Sequence, residues 1–207
     1  MSLLLEKFEI GSLSLIVIVI ALVSLTSYTN AQGPSFNCSK VEVGSIEETI
    51  CKDPALSALD RKMAEVYKEA EKKAVNENPP VLKAEQRGWI KGRNDCWKSD
   101  DVKECIKLNY TLRIAELEAR YALVSSTGPF FYACDNNPSS EVIMTFYETD
   151  PATLVAEYGD STSLMYIEPS GSGSKYQGRN ESVWIKGNEA RVKWGVVSQT
   201  MNCKKKS

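Results

Sequence analysis

Residues 121–147, YALVSSTGPFFYACDNNPSSEVIMTFY, contain the point where the apolar period of the chain changes from about 3.6 to about 2. Before it, Ile106, Tyr110, Ile114, Leu117 and Tyr121 recur at three- and four-residue spacings, as on one face of a helix. After it, Val142, Met144 and Phe146 alternate with Ile143, Thr145 and Tyr147, as in a half-buried antiparallel strand. Gly128-Pro129 lies between the two patterns and reads as the boundary. The stretch predicts an α+β chain: an N-terminal disulfide-bonded helical bundle followed by a small antiparallel β-barrel or sandwich.

Working back toward the N-terminus, Asp101 with Glu104 forms a capping box that opens the last helix, and Leu108, Leu112, Ala115 and Ala119 widen its apolar face. Asp53-Pro54 supplies an N-cap and a first-turn proline for another helix, striped by Leu56, Leu59, Met63, Tyr67, Ala70 and Ala74. Asn78-Pro79-Pro80 breaks it. A helix from about Pro80 to Arg93 is expected between them, burying Leu82, Gln86, Trp89 and Ile90. Working forward, Ala190, Val192, Trp194 and Val196 alternate with Arg191, Lys193 and Gly195. Asn136-Asn137-Pro138, Gly159-Asp160 and Gly187-Asn188 mark turns. Short strands at this spacing fit a closed barrel or a sandwich.

The whole chain has 207 residues, 43% of them apolar, with 25 Lys and Arg against 27 Asp and Glu. A net charge of -2 gives no basic surplus for nucleic acid. Histidine is absent, which removes imidazole triads, His-rich metal sites and imidazole proton shuttles. No cofactor is expected. Residues 1–31 read as a signal peptide: Lys7 in the head, an apolar run from Leu13 to Leu25, polar Thr26 to Asn30, and cleavage after Ala31. The run is short for a membrane span, so no span is expected in the mature chain. A lipid anchor would need a Cys just after the run, whereas the first is Cys38. The expectation is a periplasmic or secreted protein. Residues 32–125 then form the helical domain, 129–203 the β-domain, and 204–207 a frayed basic tail.

Six cysteines behind an export signal read as three disulfides. Cys134 in the first strand and Cys203 at the end would staple the β-domain. In the helical half, sequential pairing (Cys38 with Cys51, Cys96 with Cys105) needs the least rearrangement. Antiparallel packing would also bring Cys51 near Cys96.

Two sets of motifs carry resemblances. Ser170-Gly171-Ser172-Gly173-Ser174-Lys175-Tyr176, then Val183-Trp184-Ile185-Lys186-Gly187-Asn188-Glu189-Ala190 and a closing Cys203, resemble the MliC-type inhibitors of c-type lysozyme. That likeness covers roughly Pro129 to Cys203. Phe36-Asn37-Cys38, Leu59-Asp60-Arg61, Gln86-Arg87-Gly88-Trp89, Arg93-Asn94-Asp95-Cys96 and Tyr110 with Arg113-Ile114 are similar to the LprI-type domain. Gly88 departs from a good helix sequence and reads as a place where another element approaches closely.

The first resemblance implies c-type lysozyme as partner. It implies that Ser172 and Lys186 insert toward the catalytic acids, with Gly171 and Gly173 thinning the loop and Lys175 and Tyr176 flanking or bracing it. The spacing places loop and turn at one barrel end, separated by one strand from about Tyr176 to Ile185. Packing and surface roles compete with this: Tyr176, Trp184 and Trp194 also fit cross-strand packing. The alternative function is a cell-envelope, peptidoglycan-binding module. A carboxylate-dependent glycan hydrolase ranks last, because its candidate pairs, Glu47 with Glu48 and Asp100 with Asp101, fit charge at helix starts. The expectation is therefore a protein that is not an enzyme.

Overall fold

A computed structural model describes residues 32–196 and 199–206; the expected signal peptide lies outside the described residues. Four helices come first: α1 (Ile46–Lys52), α2 (Pro54–Lys73), α3 (Leu82–Asn94) and α4 (Val102–Arg120). Asp53 caps α2 by accepting from the amides of Ala55 and Leu56, and Asp101 caps α4 through the Glu104 amide. α1 has no counterpart in the periodicity reading, because seven residues are too few to display a stripe.

The helices close over Ile50, Leu56, Met63, Val66, Ile106, Tyr110 and Leu117. Ile90 and Leu108, expected to be buried, are exposed at 39% and 52%; Ile90 lies at the edge of the apolar arc of α3, and Leu108 on the side of α4 opposite Ile106 and Tyr110. Gly88 is also open, with nothing within 4 Å of a Cβ built on it, so no element approaches there. Cys38 is bonded to Cys51 and Cys96 to Cys105, the sequential pairing.

Within the helical core runs a polar chain built from the LprI-like motif residues. Asp60 accepts from the Tyr110 hydroxyl at 2.7 Å and from the Ser35 amide and hydroxyl at 2.7 and 2.6 Å. The Tyr110 hydroxyl in turn accepts from Arg93 at 2.7 Å, and Arg93 pairs with Glu47. Asp60, Tyr110 and Arg93 are buried and satisfy one another, as buried polar atoms must, while Ser35 and Glu47 close the chain nearer the surface. Glu48 is paired with Lys52. Glu47, Glu48 and Asp101 are thus occupied by structural bonds.

Eight antiparallel strands follow as a closed meander: β1 (Ser126–Cys134), β2 (Asn137–Tyr147), β3 (Thr153–Tyr158), β4 (Ser161–Glu168), β5 (Ser174–Gln177), β6 (Glu181–Lys186), β7 (Glu189–Trp194) and β8 (Met201–Lys205). Alternate residues, among them Val142, Met144, Leu154, Met165, Val183 and Val192, fill the interior. β1 and β8 close the barrel, and the Cys134–Cys203 disulfide joins residues directly opposite each other across that seam.

Four expectations change. Gly128-Pro129 lies inside β1, at an irregularity in its pairing with β2, rather than ahead of the first strand. The first hairpin turns on Asp135-Asn136, both at positive φ, one residue earlier than expected. Val196 lies beyond the end of β7 and is exposed. Lys204 and Lys205 belong to β8 rather than to a frayed tail; the Lys205 ammonium sits 3.5 Å from the Phe130 ring centroid, and Lys206 pairs with Glu141.

The barrel meets the helices through α4 and β3, and the Tyr166 hydroxyl of β4 donates to the Leu112 carbonyl at 3.0 Å. Among the described residues no helix is long and apolar enough to cross a membrane.

Candidate functional site: the loop and hairpin at one barrel end

Residues 169–173 connect β4 to β5, and Gly187-Asn188 connects β6 to β7. Two strands, β5 and β6, lie between them, where the spacing suggested one. The difference decides the geometry. Each antiparallel strand reverses direction, so an even number returns the chain to the end it left; a single strand would have put loop and turn at opposite ends. The turn at residues 178–180 was hidden because β5 has only four residues and shows little alternation.

The loop is held against β6. Gly173 has φ +67°, and a Cβ built there would fall 2.1 Å from the Ile185 carbonyl oxygen and 3.4 Å from the Lys186 Cα. Only glycine lets the backbones come this close. The Trp184 indole N–H donates to the Ser172 carbonyl at 2.8 Å, and the Ser170 hydroxyl donates to the same oxygen at 2.8 Å. The loop is therefore tied down by its backbone, leaving the Ser172 residue exposed beside Lys186. On the hairpin, Lys186 is paired in register with Glu189, and the Asn188 carbonyl accepts from the Lys205 amide at 2.8 Å, which fixes the turn to β8. Among the described residues the Lys186 side chain has no hydrogen bond or ion pair.

The other expected residues divide. Lys175 is engaged by Glu168 at 2.6 Å and stands outside the wall. Tyr176 is not on the surface: it is 7% exposed, faces inward, and packs against Phe146 with ring centroids 5.6 Å apart. Burial raises its phenol pKa. Tyr176 can brace the wall beneath the loop but cannot touch a partner outside it. Gly171 has open space around it and no positive φ, so only Gly173 is demanded by the geometry. Trp184, read from sequence as packing, has the most specific supporting role. Its position two residues before Lys186 puts both on the same strand face, which is the signal that could have found it.

Comparison with known proteins places these features. Residues 132–201 match the family described as membrane-bound lysozyme-inhibitor of c-type lysozyme, and residues 38–122 match the family described as lysozyme inhibitor LprI. The helical part is thus similar to the LprI family and the barrel to the MliC family. Lipoprotein LprI of Mycobacterium bovis and of Mycobacterium tuberculosis are each 23% identical over 160 residues, covering 77% of this chain and 79% of theirs.

Proposed function

We propose that this protein is an exported inhibitor of c-type lysozyme that blocks the enzyme's cleft with the Ser172 loop and the Lys186 ammonium. A lysozyme of this type works through two carboxylic acids, one kept protonated as general acid and one ionised. A loop of main chain and small side chains entering that cleft offers no glycosidic bond to break. The Ser172 hydroxyl can donate to or accept from a carboxyl group, and the Lys186 ammonium offers three donors to the ionised acid. Such a charged contact gains strength as the cleft closes over it and water is removed.

The observation that carries this reading is the clamp of Gly173 on Ile185 and of Trp184 on Ser172. It holds the Ser172 backbone against the end of β6, which carries the unpaired Lys186, before any partner arrives, so little ordering of the loop backbone remains to be done on binding. Matches to two lysozyme-inhibitor families support the partner, and relatives named as lipoproteins, together with three disulfides, support a place outside the cytoplasm.

The test is lysis of bacterial cells by a c-type lysozyme, followed by turbidity, with and without the purified chain. Slowed clearing at stoichiometric amounts is expected. Unchanged clearing in molar excess of folded protein would exclude inhibition.

A further inference from the structure

The cations of the barrel are unevenly placed. Some charged side chains elsewhere are matched by a carboxylate: Lys52 by Glu48, Lys62 by Glu118, Arg93 by Glu47, Lys206 by Glu141. On the outer face of β6 to β8 they are not. Among the described residues Lys186, Arg191, Lys193 and Lys204 have no carboxylate within ion-pair distance, although Glu189 lies in register between Lys186 and Lys204. Arg191, Lys193 and Lys204 are exposed. A chain of net charge -2 therefore presents a cationic strip on one side.

The strip is grooved. Two adjoining depressions of about 480 and 770 Å³ share Trp184, Arg191 and Asn202; Lys193 lines the first, Lys186 and Lys204 the second. Cross-strand register lays Trp184, Arg191 and Asn202 in one row over three strands, with Ser182 opposite Lys193 on one side of it. Neighbouring strands are about 4.8 Å apart, a step comparable to the length of one sugar ring. In the first depression each step offers a cation or a neutral hydrogen-bonding group; in the second, Asp135 and Glu189 stand among Lys186, Arg191 and Lys204, so the cations outnumber the carboxylates there by three to two.

We infer that this groove binds a linear anionic glycan, its acidic groups on Arg191, Lys193 and Lys204 and its hydroxyls on Asn202 and Ser182. Single-stranded nucleic acid fits less well. It needs a succession of open aromatic platforms, and the groove's one indole is covered by the Arg191 guanidinium 5.3 Å from its centroid and tied by its N–H to the loop. The inference does not depend on lysozyme inhibition, since among the described residues Lys193 and Lys204 form no hydrogen bond or ion pair with the Ser172 loop.

The experiment is titration of the full disulfide-bonded chain with oligogalacturonate, bearing carboxylates, and in a second arm with heparin-derived oligosaccharide, bearing sulfates. Neutral dextran and oligo-dT serve as comparisons. Binding in either acidic arm that weakens as salt is raised and falls at least tenfold in a Lys193→Gln/Lys204→Gln variant is expected, with lysozyme inhibition unchanged in that variant. Failure of both acidic glycans to bind, equal binding by wild type and variant, equal binding of dextran, or tighter binding of oligo-dT would each overturn it. Both substitutions are exposed, and near-ultraviolet circular dichroism confirms that the variant is folded.

Discussion

Gly173 illustrates how much one missing carbon decides. Its φ of +67° and the 2.1 Å separation between a built Cβ and the Ile185 oxygen mean that Gly173→Ala must push the loop off β6. The expected cost is about 1–3 kcal/mol of stability, read from the urea midpoint, with weaker lysozyme inhibition in the same variant; an unchanged midpoint would show that the loop is not clamped. Tyr110 is the corresponding residue in the helices. Tyr110→Phe removes the hydroxyl that joins Asp60 to Arg93, leaving buried partners short of one bond each, and should cost about 1–3 kcal/mol in the same measurement. Both residues stand in motifs visible in the sequence. Their jobs were not legible there, because a close backbone approach and a buried relay join residues distant along the chain: Gly173 with Ile185, and Asp60 with Tyr110.

Among the elements, α3 depends most on a neighbour for its start. Its N-cap residue, Val81, makes no side-chain bond; instead Glu77 accepts from the amides of Val81 and Leu82 at 3.0 and 3.1 Å, and from the Tyr121 hydroxyl at the end of α4. The Leu82 amide leads the causes that hold the Glu77 carboxyl below its ordinary pKa, and Asp53, bonded to Lys103 and to the first amides of α2, is lowered as well. A lowered folded-state pKa contributes stability that is present above the unfolded carboxylate value and is lost as pH falls through the folded value. Urea midpoints should therefore drop on the acid side of the carboxylate range, and by less in Glu77→Gln. An equal acid-side drop in that variant would remove Glu77 from the account.

The open space at Gly88 gives an opposite prediction for the same helix. Gly88→Ala should raise stability by about 0.5–1 kcal/mol, checked by thermal or urea unfolding. At this scale the sequence was readable where elements are long. The stripes of α2 and α4 and the alternation of β2 stand clear of their neighbours. The seven-residue α1 and four-residue β5 do not, because a period needs more than one repeat to be seen.

For the whole molecule, closure of the sheet brings the separate motifs of the candidate site to one end. The meander returns β4–β5 and β6–β7 to one end, the Cys134–Cys203 bond holds β1 to β8 beneath them, and Tyr166 ties the barrel to α4. The α+β order was legible in the change of period near Gly128, which left barrel and sandwich open; the barrel was legible only through the resemblance carried by residues 170–176 and 183–190. The outer cationic strip was not, since it arises from register among β6, β7 and β8 rather than from any run of basic residues. The central claim is that the free ammonium of Lys186 meets the acids of the lysozyme cleft. Calorimetric titration of a c-type lysozyme with the wild-type chain and with Lys186→Ala tests it most directly. The account predicts a loss of about 2–5 kcal/mol of binding free energy in the variant; equal affinity, with both proteins folded, would contradict it.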